Sequence, residues 1–262
     1  MTYTSLGQRW ATETPVALDR AWDQETEFAE IPQCELESLW ASFTPEPLAP
    51  NAKEAPCQQR LAELITHLLP SSQGLVLWEK RYIPCLRSGS LAPDFSITER
   101  TQTALRWSAT ICTGEVKPNL ESKLHPGVGQ AITNTVNSIE SQPTRRMMYA
   151  FLSDSRRIVF FRVSGYPKIG PATSLRTDIM ELLPSEKKDR SPLTPGFKRL
   201  AQLLRAPLHA LGYIPPTRPT ECTVGGHRFV FDAFLGSGAK GQVFVATNTL
   251  STFSYPPLFM IS

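Results

Sequence analysis

The sequence predicts an α/β fold, a mixed sheet flanked by helices, with a β-hairpin fragment added at the C-terminal end. Three observations predict it. Residues 57–69 and 126–140 carry apolar side chains at helical spacing. Segments near 75–78, 93–98, 104–116, 147–152 and 158–163 are apolar and rich in β-branched and aromatic residues. The two kinds of segment alternate along the chain, which suits helices layered on a sheet around one core.

Residues 1–56 hold short apolar clusters (Trp10, Trp22, Phe28, Leu36, Trp40, Phe43) among acids and prolines. They read as an acidic N-terminal arm or short helices. In 57–69, Leu61, Leu64, Ile65, Leu68 and Leu69 lie on one helical face, and Pro70 ends the helix. Leu75 to Trp78 is a strand. Pro93 to Thr98 is a second strand, and the polar turn 99–103 returns the chain into the longest strand signal, 104–116, which Pro118 stops. Val128, Ala131, Ile132, Thr135, Val136 and Ile139 form the stripe of the next helix. Ser153-Asp154-Ser155-Arg156 is a turn joining two strands into a hairpin. Residues 57–163 are thus the α/β core.

Residues 164–221 read as a Pro-rich linker carrying a helix near 196–211, with Pro207 expected to kink or shorten it. Residues 222–262 form the last unit, two strands around a glycine-rich turn.

The chain carries a net charge of only +3, yet residues 1–50 hold two basic residues against nine acidic ones. The body is therefore basic, which suits a polyanion partner such as nucleic acid, with the acidic head able to cover the basic surface. Lys123, Arg145, Arg146, Arg156 and Arg157 lie in predicted turns and could track phosphates. An ordinary solubilising rim explains them equally well. Tyr82 and Trp107 could stack on bases, but core or edge aromatics are the commoner case. The five cysteines form no CxxC pair and the four histidines are scattered, so neither zinc nor a disulfide framework is indicated. Reduced thiols, no signal peptide and no apolar run of membrane length make an intracellular protein the expectation.

The chemistry-bearing residues are Asp94, after Pro93, and then Glu115-Val116-Lys117. Residues two apart on a strand face the same side, so Glu115 and Lys117 project together. A hairpin pairing their strand with that of Asp94 would gather all three. Two carboxylates and a main-chain carbonyl are hard oxygen ligands suited to Mg2+ or Mn2+. Lys117 would orient a water or stabilise transition-state charge. The bland alternative is a strand-end ion pair beside a turn aspartate.

The order Pro-Asp, then Glu-x-Lys after an apolar strand, then an amphipathic helix resembles the PD-(D/E)xK restriction-endonuclease-like superfamily over about residues 57–163. The resemblance implies a restriction-endonuclease-like mixed sheet. It also implies a metal held by Asp94, Glu115 and the Val116 carbonyl, with Lys117 catalytic. It adds two further positions: Glu63 as a carboxylate on the preceding helix, and Gln130, followed by Asn134, on the next helix. Gln130, however, lies nearly opposite the apolar stripe of its own helix.

Leu235-Gly236-Ser237-Gly238-Ala239-Lys240-Gly241-Gln242-Val243 is the sharpest string in the chain. Glycines at 236, 238 and 241 let a hairpin fold over phosphates, and Val243 could cover a purine. A strand follows, whereas a dinucleotide fold needs a helix there. The string resembles the protein-kinase glycine-rich loop over about 227–246, which implies ATP contact through Gly236, Gly238, Gly241 and Val243. The strand lysine, helix glutamate and catalytic loop of a kinase do not follow it, so a truncated kinase N-lobe without phosphoryl transfer is expected. A nuclease-like module ahead of a kinase is similar to Crinkler-type effector architectures, which implies action in host cells, often in the nucleus. Three readings stay open: a metal-dependent nuclease, a non-cleaving binding or regulatory module, and a truncated gene product.

Overall fold

The structure, a computed structural model, describes residues 30–49, 51–81, 83–85, 89–100, 107–142, 145–165, 173–186 and 191–213, and single positions among 15–28 and at 102 and 105. It also describes the backbone of 221–224, 227–238, 241–248 and 258–261. Four helices are used below: α1 (Gln33–Ser42), α2 (Glu54–Leu68), α3 (Leu120–Glu140) and α4 (Pro195–Arg205). The main sheet contains β1 (Leu75–Glu79), β4 (Phe95–Glu99), β5 (Cys112–Val116), β6 (Met147–Ser153), β7 (Arg157–Ser164) and β8 (Thr173–Arg176), in that spatial order. The short β9 (Met180–Glu181) also pairs with β7. Between β1 and β4 the chain forms a separate two-stranded ribbon, β2 (Ile83–Cys85) and β3 (Gly89–Leu91).

This is the mixed α/β sheet flanked by helices that the sequence predicts. β4 and β5 are antiparallel, β5 and β6 are parallel with α3 as the crossover, and β6 and β7 form the hairpin turned by residues 154–156. Each sheet face has its own apolar layer. α1, α2 and α4 cover Phe95, Ile97, Tyr149, Phe151 and Phe160, while α3 covers Met148, Leu152, Val159, Phe161 and Val163. Alternation along β6 and β7 supplies both layers, as a strand buried on two faces requires. Leu18, Trp22, Phe28, Leu36 and Trp40 join the first layer, as do Phe197, Leu200 and Leu204 of α4. One core therefore draws on residues from both before and after 57–163.

Three element boundaries differ from the sequence reading, each for a local reason. The strand expected over 104–116 is extended only at Cys112–Val116, after a 3-10 turn at Trp107–Ala109. Side chains take the backbone oxygens ahead of it. Gln142 Nε2 donates to the Trp107 and Thr110 carbonyls, and Arg145 donates to those of Thr110 and Ile111. The helix expected from Pro126 begins at Leu120, with Pro126 inside it. Its start is set by a distant residue: Asp154 Oδ2 accepts from Leu120 N at 3.0 Å, next to Asn119 in a left-handed conformation. α4 stops at Arg205, ahead of Pro207, and its N-cap Thr194 accepts from Phe197 N.

The glycine-rich segment contributes two antiparallel strands, as expected, and residues 239–240 between them lie outside the described residues. β11 (His227–Gly238) and β12 (Gly241–Asn248) pair antiparallel, with Gly238 opposite Gly241. β10 (Glu221–Val224) and β13 (Leu258–Ile261) extend them to a four-stranded sheet. Lys240 lies outside the described residues, as do Trp10 and Tyr82.

Candidate active site

Register alone explains why Asp94 and Glu115 meet. Phe95 pairs with Gly114 and Ser96 with Thr113, so one more step sets Asp94 opposite Glu115. Residues directly opposite on antiparallel strands share a face, with Cβ atoms about 4.5–5.5 Å apart. Lys117, two residues beyond Glu115, returns to that face. Asp94 is pinned from both ends: its carbonyl accepts from Lys80 N at 3.0 Å and its Oδ2 from Val116 N at 2.8 Å. Lys117 N donates to the Ser153 carbonyl at 3.0 Å, so the parallel strand β6 holds the end of β5 in place.

The three predicted groups and the predicted carbonyl converge. Lys117 Nζ lies 3.9 Å from Asp94 Oδ2 and 3.8 Å from Glu115 Oε2, and donates to the Val116 carbonyl at 2.9 Å. The ammonium thus stands among the oxygens of the proposed ligand set. Asp94 and Glu115 are buried, and Lys117 is 18% exposed along its side chain. α3 crosses close to the lysine stem. A Cβ on Gly127 would lie 3.2 Å from Lys117 Cγ and 2.7 Å from a Leu152 methyl, so glycine permits this approach.

Burial pushes the Glu115 carboxyl well above the ordinary carboxylate range. The neighbouring Asp94 adds to this, while Lys117 and the Asn134 amide oppose it. Asn134 Nδ2 donates to Glu115 Oε1 at 2.5 Å, and Glu115 Oε2 is buried with no hydrogen-bond partner. An orphaned carboxylate oxygen beside a second carboxylate and a carbonyl fits a hard divalent cation. Among the described residues no group of three or more His, Cys, Asp or Glu could hold a metal, so any metal here would need the main-chain oxygen as well.

The remaining predicted residues divide. Asn134, not Gln130, reaches the carboxylates. Gln130 is half-buried one turn earlier and bonds to none of Asp94, Glu115 or Lys117. Glu63 is exposed on α2 and accepts from Gln59 Nε2 at 3.1 Å, away from the trio. Arg145 does not belong to any phosphate track. It is 1% exposed and donates to the carbonyls of Met147, Thr110, Ile111 and Leu211. Its place in a predicted turn hid this, because most of the carbonyls that need it come from two distant segments, 110–111 and 211. Trp107 is buried, in line with a core aromatic. Lys123 is exposed, and Arg157 is held by Asp154 and Glu121. For Gly236, Gly238, Gly241 and Val243 only the strand backbone is described.

Fold and site together define a mixed α/β protein with a buried acid pair and a lysine at the end of a central strand. No family profile matches the chain, and no curated protein matches it. Among solved structures it is similar to a candidate nuclease belonging to DUF820 from Anabaena variabilis. The identity is 14% and the TM-score 0.33, over 61% of this chain and 86% of that one. Similarity at this level decides nothing about function. Among the described residues no helix is long and apolar enough to cross a membrane.

Proposed function

We propose that the chain is a metal-dependent hydrolase of nucleic-acid phosphodiesters, with Asp94, Glu115 and the Val116 carbonyl as the cation site and Lys117 as the catalytic cation. The observation that supports it most is the position of Lys117 Nζ, within 4 Å of one oxygen from each of the three ligands. Space and negative potential for a cation are therefore built into the end of β5. Mg2+ or Mn2+ bound there would supply Lewis-acid polarisation of a phosphoryl oxygen.

The chain's own residues have separate tasks in this reading. Asn134 fixes the rotamer of Glu115 through Oε1 and leaves Oε2 for the cation. Val116 N fixes Asp94 through Oδ2, the oxygen that lies beside Lys117 Nζ. With a dication held by Asp94, Glu115 and the Val116 carbonyl, Lys117 would turn its ammonium toward solvent on its four-carbon stem, since like charges repel. There it hydrogen-bonds the scissile phosphate and offsets the charge that develops on it. Gln130, one turn from Asn134, is a further candidate for contact with substrate at the rim.

Nicking of plasmid DNA and cleavage of single-stranded RNA in Mg2+ or Mn2+ test this. Asp94→Ala and Lys117→Ala should both abolish turnover while circular dichroism stays native. Turnover surviving both substitutions would rule the reading out.

The same lysine position favours a second reading, a nucleic-acid-binding module that does not cleave, in which Lys117 neutralises the acid pair permanently. Calorimetric titration with Mn2+ separates the two, because permanent neutralisation leaves no cation binding to detect. ATP contact through Gly236, Gly238, Gly241 and Val243 is a separate proposal on the second sheet. Absence of saturable binding of a fluorescent ATP analogue would remove it.

A further inference from the structure

A second polar site lies beyond the end of the same strand. A cavity of about 150 Å3 is bounded by Leu48, Ala49 and Ala52 ahead of α2, Cys57 in α2, Asn119, and the β6–β7 turn with Asp154, Arg156 and Arg157. Arginine dominates its charge. Asp154 is fully engaged: it accepts from the backbone N–H groups of Leu120, Arg156 and Arg157 and from the Arg157 guanidinium. Arg157 is shared between Asp154 and Glu121. The Arg156 guanidinium, by contrast, makes no hydrogen bond or ion pair among the described residues.

Arg60 is not in the lining but stands one turn along α2 from Cys57, and it bonds to the 182–185 segment, whose neighbouring residues hold Arg156 and Leu48 by backbone hydrogen bonds. Arg60 is 3% exposed. One of its nitrogens, Nη2, donates to the Pro184 carbonyl at 2.9 Å, while Nε and Nη1 are buried with no partner. Burial lowers its pKa, and the nearby Arg156 charge lowers it further, against weaker help from Cys57 and Glu63. Two guanidinium groups lie in each other's field, and the carboxylate that lines the cavity, Asp154, is already engaged. An unpaired buried guanidinium costs free energy that a bound oxyanion would offset.

We propose that this cavity binds a phosphate group, with Arg156 as its charged donor, Asn119 as a polar wall and the buried Arg60 as a second cation beside it. The planar fork of Arg156 matches a tetrahedral oxyanion in charge and hydrogen-bond geometry, and the Arg60 charge strengthens the field that attracts it. Asn119 is two residues past Lys117, so the cavity begins where the acid-pair site ends. The ligand is either a phosphodiester of a nucleic-acid backbone or free phosphate, and both present the same oxygens.

Titration of the full chain with inorganic phosphate in EDTA, at ionic strength held constant with chloride, tests the proposal. Saturable binding is expected. Arg156→Gln, at a half-exposed position whose backbone bonds do not involve the side chain, should weaken it about tenfold, the scale of one charge-assisted hydrogen bond. Arg60→Met should weaken it as well, and if that variant does not fold, Arg156→Gln alone decides. Asp94→Asn should bind phosphate as wild type does, so failure of the acid-pair reading is seen separately. A parallel anisotropy titration with labelled single-stranded DNA identifies the source. An equal loss in Arg156→Gln marks a backbone phosphodiester, and an unchanged DNA affinity marks free phosphate. No phosphate binding by the wild type, or equal binding by Arg156→Gln, overturns the proposal.

Discussion

Asn134 of α3 donates its side-chain amide to Glu115 of β5 across the sheet–helix interface, and so fixes one oxygen of a buried carboxyl while the other, facing Lys117, has no hydrogen-bond partner. The helix thereby orients the acid pair, although the acids themselves sit on strands. Four predictions concern this arrangement and the core that supports it.

Glu115→Gln should stabilise the metal-free protein at neutral pH. Burial and Asp94 raise the Glu115 carboxyl. Between the ordinary carboxylate value and the raised folded value, the native chain holds a proton that the unfolded chain has released. The contribution of this group is complete below the ordinary value and is lost as pH rises through the folded one. Removing the titration should add about 1–3 kcal/mol near neutrality. Melting in EDTA from about pH 4 to about pH 8 should show the variant gaining most at the upper end. An equal gain at every pH would count against a buried, titrating Glu115.

Asn134→Ala should weaken Mn2+ binding about 10- to 100-fold, the range for groups that orient a ligand from behind. Gln130→Ala should change it by about twofold or less, as expected away from such bonds. Calorimetry on the two variants, side by side, checks the order. A larger loss for Gln130→Ala would reverse the roles assigned here.

Arg145→Leu should destabilise the fold by about 3–5 kcal/mol, because the carbonyls of Met147, Thr110, Ile111 and Leu211 lose the guanidinium together and only Thr110 keeps a side-chain donor, from Gln142. Urea unfolding measures this. DNA affinity per folded molecule should be unchanged, since the guanidinium does not reach the surface.

Gly114→Ala should also be costly. The added methyl would run into the ring of Phe151 on the neighbouring strand, inside the apolar layer under α2. Overpacking of this kind costs about 1–3 kcal/mol. Phe151→Leu should recover part of the loss in the double variant, which a thermal-melt cycle over the four proteins reads directly.

Much of the site was legible in the sequence because its logic is local. Asp94, Glu115 and Lys117 are brought together by one antiparallel pairing and a two-residue repeat, and both leave their mark on a strand pattern. The helical stripe of α2 and the 147–163 hairpin were equally readable, since periodicity and turn chemistry act over a few residues. Asn134 was flagged only as the neighbour of Gln130. Helical phase argued against Gln130, but which residue meets Glu115 depends on the rotation of α3 against the sheet.

By itself, then, the sequence determined the layered α/β class, the grouping of the acid pair with its lysine, and the two strands of the glycine-rich segment. The tertiary structure decided the parallel seat of β6 beside β5, the buried role of Arg145, the start of α3 at Asp154, and the burial of Arg60 against Pro184. The physical reason is the range of the forces involved. Alternation and hairpins satisfy backbone hydrogen bonds between near neighbours, whereas a buried guanidinium finds its carbonyls, or its anion, only after distant segments have packed around it.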